Sequence, residues 1–187
     1  WKENGSANPP SPTPTPDPNA TPTPTPTPTP AATTLKFNPT ADNKISQENP
    51  TINYGVAKVI QTDASPQVKM LFKFNVAGIG TSSINNVKLR LFNVNDSVNG
   101  GDVREVVETW SEGSVNWNTQ PSLTSGTLIT SLSPVILNTW AEFDLSSLVT
   151  GDGVYSFEIS TTSTNNANYY AKENLINIPE LVVTLNP

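Results

Sequence analysis

Two short segments carry most of the cationic chemistry. Lys69 and Lys73 fall in the run Val68 to Val76, and Lys88 and Arg90 in the run Ser83 to Val94. In both runs they alternate with large apolar residues, so strand geometry sends them to the face opposite the core. If the two strands are neighbours, these four side chains form one basic patch. Such a patch suits uronate carboxylates, with the planar fork of Arg90 able to grip one from two sides. The plainer expectation is a solvated sheet face paired with Glu158. A covered outer face would also favour ion pairs over ligand. Tyr54, Tyr169 and Tyr170 lie in Asn-rich stretches read as loops, where binding residues concentrate. Lys172 follows the tyrosine pair and joins the candidate set. Successive strand side chains alternate, so Tyr169 and Tyr170 cannot both face the core, and one of them is exposed. Trp110, Trp117 and Trp140 could also stack on sugar rings, but packing is the stronger expectation for such large aromatics.

A second set is acidic or amide-bearing: Asp42, Asn43, Asp144 and Glu173. Calcium takes several hard oxygens, which loops between strands can supply, so Asp42, Asp144 and Glu173 are candidate ligands for a structural ion. The competing role is turn and cap hydrogen bonding, which aspartates perform routinely. There is no contiguous calcium-loop motif.

Bond-making chemistry finds little support. The chain holds no histidine and no cysteine. That removes a Ser-His-Asp triad, the usual zinc sites and any disulfide framework. No spacing singles out a carboxylate pair for glycoside hydrolysis, and Asn99-Gly100-Gly101-Asp102 is a turn signal, not a phosphate loop. A net charge of −6 argues against nucleic acid as a partner. No apolar run is long enough for a membrane span.

These residues must be held by strands. Residues 1–33 form a Pro/Thr-rich linker with alternating Thr-Pro from Thr21 to Pro30. Proline fixes φ and pushes its predecessor to extended geometry, so an extended polyproline-II rod is expected. At ~3.1 Å per residue, about 22 residues reach on the order of 70 Å. From Thr34 to Pro187, period-2 alternation dominates. Strands are expected near Leu35–Pro39, Lys58–Thr62, Val68–Val76, Ser83–Val94, Val103–Thr109, Thr127–Ser131, Trp140–Leu145, Val154–Ser160 and Leu181–Leu185. No convincing helix separates them. The architecture this predicts is all-β, an antiparallel, jelly-roll-like β-sandwich behind the linker. The chain starts at Trp1, and we read it as part of a longer protein with an upstream catalytic or anchoring domain.

Several pieces in order resemble the DNRLRE-type domain and are similar to carbohydrate-binding modules attached to alginate lyases. They include Ala41-Asp42, Asn53-Tyr54-Gly55, Leu71 to Val76, Val87 to Phe92, and Trp110 to Pro121 (WSEGSVNWNTQP). Trp140 to Leu145, Tyr169 to Glu173 and Pro179 to Thr184 complete the set. Asn75 stands where the family usually has Asp, and Glu180 where a basic residue is common. The resemblance implies a secreted or cell-surface, non-catalytic, monomeric module with a polysaccharide ligand, an acidic glycan such as alginate. The alternative is a structural or adhesive spacer in a cell-surface protein.

Overall fold

A computed structural model describes Trp1, Ser11 and residues 31–187. The linker expected at residues 1–33 therefore lies almost wholly outside the described residues. Eleven strands follow: β1 (Thr34–Phe37), β2 (Ala41–Ser46), β3 (Val59–Ala64), β4 (Gln67–Val76), β5 (Ile84–Asn95), β6 (Gly101–Val106), β7 (Leu123–Leu132), β8 (Trp140–Asp144), β9 (Gly153–Ser160), β10 (Ala167–Tyr170) and β11 (Glu180–Leu185). Among the described residues a single 3-10 turn, Trp117–Thr119, lies between β6 and β7.

The first sheet runs β2-β4-β9-β6-β7, antiparallel throughout. In the second, β5 is flanked by β11 and β8, and β1 closes the β11 side. The end of β5 pairs with β10, and β10 with β3. β3 then turns directly into β4. One curled sheet thus supplies both layers, and β3 is the seam between them.

Alternation explains the core. Met70, Phe72 and Phe74 of β4 face Val87, Leu89 and Leu91 of β5, with Phe157, Leu181 and Val183 joining them. Phe72, Phe74 and Phe157 lie with ring centroids 5.8 to 6.4 Å apart. Each such buried side chain contributes roughly 1.5–3 kcal/mol by leaving water.

Leu71 breaks the alternation of β4, yet it is fully buried. The chain between β6 and β7 folds across the outer face of β2 and β4. There Trp110 and Val115 meet Ala41, Ile45 and Leu71 in a second apolar cluster, with Trp117 packed against it. Trp110 donates from Nε1 to Ser156 Oγ at 2.6 Å. Asn116 caps the 3-10 turn, accepting from the backbones of Asn118 and Thr119 while the Thr119 side chain returns the bond.

Two strands escaped the sequence reading. β2 (ADNKIS) carries too few apolar residues to show a period, because its polar side chains are buried by partners distant in sequence. β10 was read as a loop; it is a strand because β3 and β5 close on it from both sides.

Leu71→Ala should cost about 2–5 kcal/mol in urea unfolding, as a core truncation does. A loss below ~0.5 kcal/mol, the value for an exposed site, would contradict the covered face.

Candidate functional site

The four predicted cations do not meet. Lys69 and Lys73 are on β4 and Lys88 and Arg90 on β5, strands that belong to different layers and do not pair, so the joint patch expected from sequence does not form. Lys73 Nζ donates to the carbonyls of Glu108 and Trp110, both at 2.7 Å, and lies 4.7 Å from the Trp110 ring centroid. It fastens the covering segment. Lys69 pairs with Glu158 at 3.1 Å and donates to Gln120 at 3.2 Å. The sheet face is covered here, and ion pairing is the outcome.

Lys88 and Arg90 belong to a second network. Lys88 meets Glu142 at 2.7 Å, and Arg90 bridges Glu142 at 3.1 Å and Glu180 at 2.9 Å. Lys88, followed by Arg90, holds the Glu142 carboxyl below its usual range. The Arg90 guanidinium also lies 4.5 Å from the Trp140 ring centroid. Trp140 packs edge-on to Phe92 at 5.4 Å, and Phe92 stacks with Tyr170 at 5.6 Å. Half-buried, these three rings form an aromatic strip on the outward side of β8, β5 and β10.

The tyrosine pair divides as alternation requires. Tyr169 is fully buried, and its hydroxyl donates to Gly100 O at 2.9 Å. Burial raises its pKa. This corrects Tyr169 as a ligand residue: its ring belongs to the core. Tyr170 is the outward partner.

Asp144, the other metal candidate, is not among the carboxylates that converge. It ends β8 and accepts from Ser146 N at 2.9 Å and Ser146 Oγ at 2.6 Å, bonds that hold its carboxyl below the usual range. It is a turn cap. Asp42 and Glu173 do converge, and the third carboxylate beside them is Glu112 from the covering segment. Lys172 pairs with Glu112 at 3.1 Å and with Glu173, and its backbone N–H donates to Asp42 Oδ2 at 2.7 Å. Burial lowers the Lys172 pKa, but Glu173 and Glu112 more than reverse this and leave it raised. Asp42, only 1% exposed, is pushed up to about 7, first by burial and then by Glu173 and Glu112, against the pull of the Lys172 bond.

Glu112 also positions Tyr54. Its carbonyl accepts from Asn43 Nδ2 at 2.9 Å and Asn53 Nδ2 at 2.6 Å, while Tyr54 N donates to Asn43 Oδ1 at 3.2 Å. Gly55 packs so close that a Cβ there would sit 2.7 Å from the Glu112 carbonyl, which leaves room only for glycine.

Tyr54 opens onto a cleft of about 230 Å³ lined by Lys44, Ser46, Glu48, Asn49, Gln61 and Asp63, among others. The Lys44 ammonium lies 4.7 Å from the Tyr54 ring centroid. It is half-buried and has no carboxylate within 4.0 Å among the described residues. Burial lowers its pKa. Sequence reasoning missed Lys44, Gln61 and Glu112. The only signal for Lys44 was its two-residue offset from Asp42, which puts both on one face of β2.

From this cleft the outward residues of β3 lead toward the aromatic strip. Gln61 stands opposite Asn168, and Val59 opposite Tyr170. Strands lie ~4.8 Å apart, so the path crosses β3, β10 and β5 in steps of roughly one sugar ring. A two-layer β-sandwich with a polar cleft and a half-buried aromatic strip is compatible with the class of sugar-binding modules. Residues 33–185 match the sequence model of carbohydrate-binding module family 96, and the chain belongs to that family. No curated protein matches the chain. Among the described residues no helix is long and apolar enough to cross a membrane.

Asp42 titrates near 7 when folded and near 3.8 when unfolded. The folded state therefore holds the extra proton between those values. Its stabilising contribution is complete below about pH 4 and falls as pH rises to about 7. At ~1.4 kcal/mol per unit, the fall is roughly 4 kcal/mol. Asp42→Asn should flatten this slope in urea melts run in EDTA; an unchanged slope would show that Asp42 is already ionised.

Proposed function

We propose that this carbohydrate-binding module recognises an acidic polysaccharide such as alginate, and that it serves a secreted or cell-surface multidomain enzyme as its non-catalytic targeting part. The carrying observation is Lys44, a half-buried ammonium beside a tyrosine ring in a polar cleft, with no carboxylate within 4.0 Å among the described residues. Even partial burial of a cation without an ion pair carries a cost, and a ligand carboxylate would relieve it. Tyr54 offers its ring to the C–H face of a sugar, while Gln61, Asn49 and Ser46 suit its hydroxyls. Glu48 and Asp63 line the same cleft and accept hydroxyl hydrogens, which favours a ring carrying both a carboxylate and free hydroxyls. Tyr170, Phe92 and Trp140 extend the surface for further sugar units.

Lys69, Lys73, Lys88 and Lys172 serve the fold in this reading, since each is engaged internally. Arg90 contributes by holding Trp140 in place. An upstream catalytic or anchoring domain, joined by the Thr-Pro segment, would gain effective concentration on its substrate through the tether.

Affinity electrophoresis of the full chain in alginate and in a neutral β-glucan tests this. Retardation by alginate alone, weakening as salt rises, is expected. Lys44→Ala should weaken binding tenfold or more, while Lys73→Ala should lower stability without abolishing binding to the same polymer. Equal retardation in both polymers, or none in alginate, would refute the acidic-glycan reading.

A further inference from the structure

Lys69 sits differently from the other paired lysines. Its ammonium lies 3.2 Å from the side-chain amide oxygen of Gln120 and 3.1 Å from Glu158 Oε2. Among the described residues it is the lysine that meets a side-chain amide and a carboxylate together. Lys36, Lys88 and Lys172 bond carboxylates, and Lys73 bonds backbone carbonyls. Lys69 is on β4 and Glu158 on β9, neighbouring strands of one sheet, while Gln120 is carried on the covering segment. The Gln120 amide is oriented by its own nitrogen, which donates to Trp117 O at 2.9 Å and leaves the oxygen turned to Lys69. The group is sheltered. The Lys69 side chain is 17% exposed and that of Glu158 5%, and the Trp117 ring centroid lies 5.8 Å from the ammonium.

We infer that these residues form an intramolecular isopeptide bond between Lys69 Nζ and the side-chain carbonyl carbon of Gln120, with Glu158 as the proton carrier. Glu158 takes a proton from Nζ along their hydrogen bond, which leaves a neutral amine, the nucleophilic form of lysine. The Nζ lone pair then attacks the amide carbon, one bond beyond the oxygen that Nζ already touches. A small rotation of the Gln120 amide brings the two atoms to the ~3–3.5 Å from which attack proceeds. The Nζ–Cδ bond forms, the Cδ–Nε2 bond breaks, and its electron pair leaves with the nitrogen. Nζ gives up two protons in all. Glu158 passes one to the departing nitrogen, which leaves as ammonia, and the other goes to solvent. Glu158 ends as it began, and the chain is lighter by one ammonia.

An amide is a poor electrophile in water, so the reaction relies on position. A nucleophile and a carbonyl fixed on one scaffold gain effective molarities of ~10⁵–10⁸ M. Folding must come first, because Lys69 and Gln120 are 51 positions apart in sequence. Glu158 is not stranded by the loss of the ammonium. The new amide N–H still faces it, and Arg104 stands opposite it on β6. The bond would fasten the covering segment to β4 covalently, beside the clamp that Lys73 already makes. It does not depend on which polymer the module binds, so its test needs no glycan.

Denaturing mass spectrometry of the full chain, purified at neutral pH, tests the bond. The parent should be lighter than its sequence mass by one ammonia. Its tryptic digest should contain one branched peptide joining Lys69 to Gln120, uncut after Lys69. Lys69→Arg keeps the positive charge and Glu158→Gln keeps the side-chain shape; both should have the full sequence mass. If either variant fails to fold, the branched peptide of the parent carries the result. A parent at full sequence mass would overturn the bond. So would an ammonia loss that persists in Lys69→Arg, which would place it at an Asn-Gly step such as Asn99-Gly100.

Discussion

The segment between β6 and β7 lies across the outer face of β2 and β4, and most of the surface geometry follows from that contact. Its apolar side is small: Trp110 and Val115 against Ala41, Ile45 and Leu71. Polar groups secure it. The Lys73 ammonium satisfies two of its carbonyls, and Trp110 reaches through to Ser156. Bonds from a charged donor are worth more than neutral ones, and here the donor is shielded by an indole ring. Glu112, carried on this segment, then sets Asn43, Asn53 and the chain at Tyr54 and Gly55. A loosened segment would release the acidic cluster and the cleft together.

Charge in this module is mostly spent on shape. Arg90 is held between Glu142 and Glu180 while it covers Trp140, so ion pairing and ring packing reinforce one geometry. Exposed pairs of this kind contribute little stability individually. Their effect is to hold long side chains in place beside the aromatic strip. Lys44 differs because its ammonium lies over the Tyr54 ring, with Glu48 and Asp63 lining the same cleft but beyond 4.0 Å from it. Availability, more than the number of cations, is what sets Lys44 apart in this module.

The seam between the layers gathers the cleft and the ring of Tyr170. β3 pairs with β10 in one layer and turns into β4 of the other, so its outward residues connect the cleft to Tyr170. β2, at the edge of its sheet, contributes Asp42 and Lys44 from one face. An edge strand can offer side chains to ligands that a central strand must bury. That is a physical reason for polar side chains to stay accessible at this margin while the middle of each sheet is packing.

By itself the sequence determined the all-β class, the inward faces of β4 and β5, and the opposite directions of Tyr169 and Tyr170. These follow from the two-residue period, which is local and needs no knowledge of partners. It also excluded histidine and cysteine chemistry outright. Only the tertiary structure decided which charges meet. Lys69 and Lys88 look alike in their runs, yet strand order puts them in different layers against different acids. Asp144 and Asp42 both flank strands, but one caps its own turn while the other is buried by two segments far along the chain. β2 was hidden for the same reason: its polar residues are buried by long-range partners, and no local period records them.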